Sequence, residues 1–207
     1  YYHLYNRGVE KRPIFLDEQD YNVFNSYLET YLLPKDLGHL NDLLDNGNPK
    51  EKDVARKMLR LNNFADEINL LAYCLMPNHF HFLIYQTTTD ALDRFSNSIF
   101  TRYSMYFNRK YKRVGPLFQG IYKAVSIQSD EQLLWLSRYI HRNPVDVLQG
   151  QALQTYKHSS YPEYLRIRNK SWIKPEEILA YFKSEYKTFV EGNSSEPESL
   201  YPLLLSD

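Results

Sequence analysis

Residues 73–85 read Tyr-Cys-Leu-Met-Pro-Asn-His-Phe-His-Phe-Leu-Ile-Tyr. After Pro77 polar and apolar residues alternate, which predicts a half-buried β-strand. Side chains at positions i and i+2 of a strand lie on one face, roughly 7 Å apart. His79 and His81 would therefore share a face, where two imidazoles can bind one divalent metal ion and leave its other side open for chemistry. The alternative is that both histidines merely cover a polar sheet face.

The segments around this strand predict an α+β fold. We expect strands at 2–6, 68–75, 78–86 and 121–127, and helices from Asp17 to Pro34 and from residue 89 or 90 onward. This order, strand–helix–strand–strand–helix–strand, is typical of a ferredoxin-like antiparallel sheet with helices on one face. Ser129 and Gln132 then fit a capping box, which opens an extra helix towards Asn143 and Pro144.

The chain divides into a catalytic-size domain and a C-terminal helical appendage. Residues 1–150 contain the elements above, with 34–64 predicted as a helical insertion, a pair of helices at the surface. Residues 151–207 are predicted as an aromatic loop at 156–164, a helix near 175–190 and a polar tail from Gly192. The insertion leaves both a monomer and a homodimer open.

Composition excludes several classes of protein. The 25 basic and 25 acidic residues balance, so overall charge predicts neither a nucleic-acid nor a membrane partner. The 19 tyrosines suit stacking on bases or sugars, although an aromatic-rich core explains them equally well. Cys74, the single cysteine, excludes a disulfide framework and a four-cysteine zinc site and is typical of a cytoplasmic protein.

The sequence contains no apolar run of membrane-spanning length and no signal-peptide pattern at its start, so we expect no membrane partner. Because the chain opens on Tyr1, we also expect that a few native residues, including the initiator methionine, are missing.

The extra helix contains two residues with chemical potential. Tyr139 and Asn143 are four positions apart and so share a helical face. The Asn143 side chain offers an oxygen that can bind a hard cation. A phenol of pKa near 10 becomes a nucleophile when a nearby cation or base favours its phenolate. The alternative is an ordinary aromatic residue followed by a helix C-cap.

Four segments taken together resemble the REP-associated tyrosine transposases of the single-tyrosine HUH superfamily, where H is histidine and U a bulky hydrophobic residue. The segments are Tyr2–Gly8, Cys74–His81, Gly115–Gly120 and Arg138–Val145, and the resemblance covers about residues 1–165. It implies a ferredoxin-like fold, a divalent metal, Mg²⁺ or Mn²⁺, and cleavage and rejoining of single-stranded DNA at hairpins.

Residue by residue, the resemblance implies that His79 and His81 are metal ligands, that Tyr139 is the nucleophile and that Asn143 is the third ligand. Insertion-sequence members of the superfamily have glutamine at this last position, so asparagine resembles the REP-associated branch. The implied reaction is a transesterification in which the tyrosine forms a 5′-phosphotyrosine link and releases a 3′-hydroxyl. His141 lies on another helical face, and we do not assign it as a base.

A basic tract with interleaved aromatic residues runs from residue 94 to residue 123 and contains no acidic residue. Cations for phosphates and rings for bases are the pattern of single-strand binding, although a solvated basic face above an aromatic core would read similarly. The DNA-binding candidates are Arg102, Arg109, Lys110, Lys112, Arg113 and Lys123, with Arg7 as a weaker one.

The sequence lacks residues that two other enzyme classes require. A histidine-triad hydrolase needs a third histidine where this chain has Leu83, and a metallo-β-lactamase-type enzyme needs an Asp-His pair that is absent downstream. A catalytically silent ferredoxin-like nucleic-acid-binding protein is the remaining alternative. Such a protein has no need for the combination of two histidines, a tyrosine and an asparagine.

Overall fold

The computed structural model of the protein describes residues 1–204; residues 205–207, the end of the predicted polar tail, lie outside this range. The main elements are β1 Tyr2–Arg7, α1 Glu18–Leu32, α2 Leu37–Asn46, α3 Pro49–Arg60, β2 Ile68–Met76, β3 His79–Gln86, α4 Ala91–Lys110, β4 Lys123–Ser126 and α5 Asp130–Arg142. Short helices follow: α6 Val145–Leu148, α7 Tyr161–Tyr164, α8 Glu176–Leu179 and α9 Tyr186–Glu191, with 3-10 turns at Val9–Lys11, Leu153–Thr155 and Glu198–Leu203. No helix within residues 1–204 is long and apolar enough to span a bilayer.

The four strands form one sheet in the order β2-β3-β1-β4, and every neighbouring pair is antiparallel. A strand–helix–strand–strand–helix–strand chain gives this order in a ferredoxin-like fold, so the predicted fold class is confirmed. β4 is shorter than predicted, because its partner β1 pairs with it only over residues 2–5. Ile121, predicted as its first residue, is 85% exposed.

One face of the sheet packs against α1 and α4 in an aromatic core. Phe80 and Phe82 of β3 are fully buried there, beside Phe24 of α1 and Tyr103 of α4. Burying each such side chain contributes about 1.5–3 kcal/mol. Because successive side chains of a strand alternate between faces, burial of these phenylalanines places His79 and His81 on the opposite face.

The helical boundaries of this layer follow local chemistry. The Asp17 side chain accepts a hydrogen bond from the backbone N–H of Asp20, and α1 ends two residues before Pro34. Two helices, α2 and α3, occupy the predicted insertion, and α3 opens with a reciprocal capping box between Asn48 and Glu51.

The other face of the sheet packs against α5 and against residues 151–204, here called the C-terminal segment; together they form a second core. Leu133, Leu136 and Ile140 of α5 are buried against the sheet. The C-terminal segment joins the sheet directly, because the backbone N–H of Leu75 donates to the His158 carbonyl and that of Ser160 donates to the Tyr73 carbonyl.

The C-terminal segment differs from its prediction in three respects. The helix expected near 175–190 is broken into α8 and α9, because Tyr186 packs against α5 and this tertiary contact overrides the local pattern. The region 156–164 contains the short helix α7. The tail expected to be polar folds as a 3-10 helix with Leu200 and Leu203 buried.

The start of α5 also departs in detail from the predicted capping box. Ser129 caps the helix, since its side chain accepts from the backbone N–H of Gln132. The Gln132 side chain accepts instead from the N–H of Gln128, one residue before the cap.

Candidate active site

β3 places its two histidines together on the face that α5 covers. The ring centroids of His79 and His81 are 5.0 Å apart, with the ring planes nearly perpendicular. His81 is fully buried and His79 is half-buried. The predicted shared face is therefore observed.

α5 brings Tyr139 and Asn143 to these histidines. Asn143 Oδ1 lies 3.0 Å from His79 Nε2, although the two residues are 64 positions apart in the chain. The Tyr139 ring packs edge-on against His81 with a centroid separation of 5.3 Å. The structure thus brings all four residues of the predicted constellation together.

Two arginines of α5 hold this helix against the C-terminal segment. Arg138 is 2% exposed and donates to the carbonyls of Phe189 and Gly192, at 2.8 and 2.6 Å. Arg142 donates to the Val190 carbonyl at 2.9 Å. Because these carbonyls follow or end α9, the two cations also satisfy groups at a helix C-terminus.

His79 contacts an oxygen on each side of its ring. Its Nδ1 lies 2.6 Å from the side-chain oxygen of Asn78, and an oxygen can only accept from that nitrogen. A neutral ring has one N–H and can donate to only one of these two oxygens; when Nδ1 donates to Asn78, Nε2 carries a lone pair and faces Asn143 Oδ1, which is also an acceptor. Two acceptors that face each other across 3.0 Å are an arrangement that a cation stabilises.

His81 has one partnered and one unpartnered nitrogen. Its Nδ1 lies 2.9 Å from His3 Nε2, whereas its Nε2 is buried without a hydrogen-bond partner. Burial, reinforced by the neighbouring His3 and His79, holds the pKa of His81 well below its usual value of 6.5. The ring is therefore neutral at physiological pH and can offer a lone pair to a metal.

These atoms fit a hard divalent cation. Within residues 1–204 no group of three or more His, Cys, Asp or Glu side chains could hold a metal, and the oxygen beside His79 comes from the amide of Asn143. Two ligands about 2.1 Å from an octahedral ion and at a right angle to each other are about 3.0 Å apart. The separation of His79 Nε2 from Asn143 Oδ1 matches this value.

His3 and Tyr5 belong to the same site and were missed by the sequence reasoning. β1 pairs Tyr5 with His81 and Arg7 with His79, so the odd-numbered residues of β1 share the histidine face. The His3 ring lies 4.6 Å from that of Tyr5, and burial lowers the pKa of His3 to about 4. The alternation of polar residues at positions 3, 5 and 7 was the signal that could have revealed them.

His141, which we did not assign as a base, lies in the second core. Its Nδ1 is 2.7 Å from the Tyr186 hydroxyl and its Nε2 is 2.8 Å from the Ser160 hydroxyl. Burial lowers its pKa to about 3. Both nitrogens are thus used in a buried hydrogen-bond network.

Two of the predicted DNA-binding residues flank the site. Arg7 lies beside His79 in the sheet and its Nε donates to Gln119 at 2.7 Å. Lys123 is exposed on the edge strand, with its ammonium 5.9 Å from the centre of the Tyr5 ring. Both cations lie on the strands that carry the site face.

The remaining basic candidates differ in their surroundings. Lys110 forms ion pairs with Asp17 and Asp20, each at 2.7 Å. The Arg102 guanidinium stacks 3.9 Å from the centre of the Tyr27 ring. Arg109 and Lys112 are exposed, and the half-buried Arg113 donates to the Asn108 side chain at 3.1 Å.

Comparison with known proteins finds one family model that matches part of the chain. Residues 48–143 match the family model described as "Transposase IS200 like", a segment that covers just under half of the chain and includes both histidines, Tyr139 and Asn143. The resemblance to the IS200-like, single-tyrosine transposases is therefore confirmed over this segment. A search of curated proteins returns no match.

Among solved structures, the chain is similar to one described as "Structure of the REP associates tyrosine transposase bound to a REP hairpin". The TM-score is 0.43 and the identity 10%, over 84% of this chain and 90% of the other. Because that score is below the level at which a shared fold follows, the similarity to the IS200-like transposases rests on the family match over residues 48–143.

Proposed function

We propose that this protein is a metal-dependent single-stranded DNA transesterase that cleaves and rejoins DNA at hairpins through a 5′-phosphotyrosine intermediate. The observation that carries the proposal is the meeting of α5 with β3: Asn143 Oδ1 is 3.0 Å from His79 Nε2, and Tyr139 packs against His81. A helix from a distant part of the chain thus supplies a nucleophile and an oxygen ligand to two strand histidines.

The chemistry assigned to Tyr139 conserves bond energy. Its oxygen attacks the scissile phosphorus in line, a bond from the tyrosine to the 5′-phosphate forms, and the bond to the 3′-oxygen breaks. The tyrosine loses its proton, and the departing 3′-oxygen takes one up. No water is consumed, so a 3′-hydroxyl from another strand can reverse the step and rejoin DNA.

The metal site would use His79 Nε2, His81 Nε2 and Asn143 Oδ1. A bound Mg²⁺ or Mn²⁺ would supply Lewis-acid polarisation of the scissile phosphate. The unpartnered, buried nitrogen of His81 and the facing acceptors of His79 and Asn143 support this assignment.

The substrate assignment follows from charge near the site and from the family match. Arg7 and Lys123 flank the histidines on the sheet, and Arg109, Lys112 and Arg113 are the further cations we assign to the DNA backbone. Hairpin specificity and membership of the REP-associated branch derive from the motif resemblance, with asparagine rather than glutamine at position 143. Because Tyr139 contacts His81 of its own chain, we propose that the tyrosine acts within one subunit.

The experiment mixes purified protein with labelled single-stranded hairpin DNA from its own genome and Mn²⁺, and scores a denaturant-resistant protein–DNA adduct. We expect an adduct that is lost with Tyr139→Phe and with EDTA. Tyr181→Phe is the matched control, because Tyr181 is half-exposed and outside the site. DNA binding without an adduct across several hairpins would favour the catalytically silent binding protein instead.

A further inference from the structure

The buried histidine of β1 forms a continuous hydrogen-bonded chain from the C-terminal segment to the candidate metal ligand. His3 Nδ1 contacts the carbonyl oxygen of Leu203, and His3 Nε2 lies 2.9 Å from His81 Nδ1. The two imidazoles are stacked, with centroids 5.1 Å apart. Both rings are fully buried, so no water competes for these contacts.

The direction of the hydrogen bonds in this chain follows from its end. A carbonyl oxygen has no hydrogen to give, so His3 Nδ1 must be the donor to Leu203. A neutral His3 then has a bare Nε2, which can only accept, and His81 Nδ1 must donate to it. The proton of His81 is thereby fixed on Nδ1, and its Nε2 is left with a lone pair.

The reverse arrangement is unfavourable. If His3 were an imidazolium, it would donate from both nitrogens, and His81 would carry its proton on Nε2. That would place a charge and an unsatisfied N–H donor in the interior, and each of these is costly. The lone pair on His81 Nε2 is the only arrangement that leaves every buried N–H of the pair satisfied.

We propose that His3, oriented by the Leu203 carbonyl, is a positioning residue that fixes the His81 tautomer required for metal binding. The inference rests on the proposed function, in which His81 is a ligand. Histidine ligands in metal sites generally donate their second nitrogen to such an acceptor, and losing the acceptor typically costs about 10–100-fold in metal affinity.

The C-terminal segment thus becomes part of the site. Gln132 of α5 donates to the Ser199 carbonyl at 2.8 Å, and the Ser199 hydroxyl donates to Glu131 at 3.1 Å. With Leu200 and Leu203 buried, these contacts hold the Leu203 carbonyl over His3. The C-terminal segment therefore fixes both the start of α5, which carries Tyr139, and the Leu203 carbonyl that accepts from His3.

The first test needs no variant. In metal-free, full-length protein, nitrogen NMR of the histidine side chains distinguishes protonated from bare ring nitrogens. We expect the proton of both His3 and His81 on Nδ1. A proton on His81 Nε2 would overturn the proposal.

The second test measures Mn²⁺ affinity from the loss of the free-ion electron paramagnetic resonance signal. His3→Phe keeps a planar ring but removes the acceptor, and we expect the Mn²⁺ dissociation constant to rise about 10–100-fold with a shift of the His81 proton to Nε2. His3→Gln offers an amide oxygen near the position of Nε2 and should restore most of the affinity. His158→Phe controls for replacing a buried histidine outside the site, where the ring stacks on Tyr21.

The outcomes separate the two proposals. If His3→Phe folds and binds Mn²⁺ like the unmodified protein, or if His3→Gln loses as much affinity as His3→Phe, the positioning role is wrong while the metal site stands. If the unmodified protein binds no Mn²⁺, or if His79→Ala binds it equally well, the metal site itself is wrong.

Discussion

Asn143 Oδ1 lies 3.0 Å from Nε2 of His79, so the C-cap residue of α5 contacts the first residue of β3. The contact joins α5 to β3 across the interface between this helix and the sheet. Its geometry suits a cation better than a hydrogen bond between neutral groups, because both atoms are acceptors when His79 donates to Asn78.

Replacing Asn143 should weaken metal binding according to what the new side chain offers. Asn143→Leu removes the oxygen. Loss of a residue that is hydrogen-bonded to a metal ligand costs ~10–100-fold in metal affinity, and we expect loss of a ligand to cost at least as much. Asn143→Asp keeps an oxygen and should retain binding. Mn²⁺ titration of both variants checks this, and equal affinity of Asn143→Leu and unmodified protein would remove Asn143 from the site.

Arg138 should be important for stability as well as for the position of α5. Arg138→Met keeps much of the apolar stem but leaves the part-buried Phe189 and Gly192 carbonyls without their charged donor. We expect the free energy of unfolding to fall by about 2–3 kcal/mol in urea titrations. Arg142→Met, which loses the hydrogen bond to Val190, should cost less. A larger loss of stability for Arg142→Met than for Arg138→Met would contradict the role assigned to Arg138 in holding α5 against the C-terminal segment.

His158 should make stability depend on pH. Burial, partly opposed by Glu18, lowers its pKa to about 4, so the unfolded chain binds the proton first as pH falls below 6.5. Stability is therefore full above pH 6.5 and declines towards pH 4. Allowing for partial exposure, we expect a loss on the order of 1 kcal/mol at pH 5 relative to pH 7.

Urea titrations at pH 7 and pH 5 measure this loss. His158→Phe retains a ring over Tyr21 and should show a smaller difference between the two pH values. An identical difference in the variant would assign the pH dependence to other groups.

The effect of replacing a basic residue on DNA affinity should depend on whether that residue is already paired with a carboxylate. Lys123→Gln removes a cation beside the site, and the slope of log affinity against log salt for single-stranded DNA should decrease by about 0.7. Lys110→Gln should leave the slope unchanged, because this ammonium is paired with Asp17 and Asp20. Arg94→Gln, paired with Glu67 and Asp90, is the matched surface control. A larger slope change for Lys110→Gln than for Lys123→Gln would reverse the assignment.

The strand pattern alone predicted much of the site. Alternation after Pro77 separates Phe80 from His79 and His81, since a strand has only two faces and the phenylalanines need a core. The four-residue spacing predicted that Tyr139 and Asn143 share a helical face. The meeting of this helix with the strand came from the family resemblance, because no local pattern encodes a contact across 64 positions.

The parts that sequence reasoning missed depend on tertiary contacts. Polar alternation at positions 3, 5 and 7 could have indicated the face on which His3 lies, but its partners, His81 and the Leu203 carbonyl, are distant in the chain. The C-terminal segment was predicted as one helix and a polar tail, because its local pattern does not contain the contacts with Ser137 and Gln132 that shape it.

The proposed reaction leaves Tyr139 covalently linked to DNA. The most direct measurement digests the adduct formed with hairpin DNA and Mn²⁺ with protease and nuclease, and locates the nucleotide by mass spectrometry. We expect a single 5′-linked nucleotide on the peptide that contains Tyr139, and none from protein treated with EDTA. A nucleotide on any other residue, or cleaved DNA with no linked peptide, would contradict it.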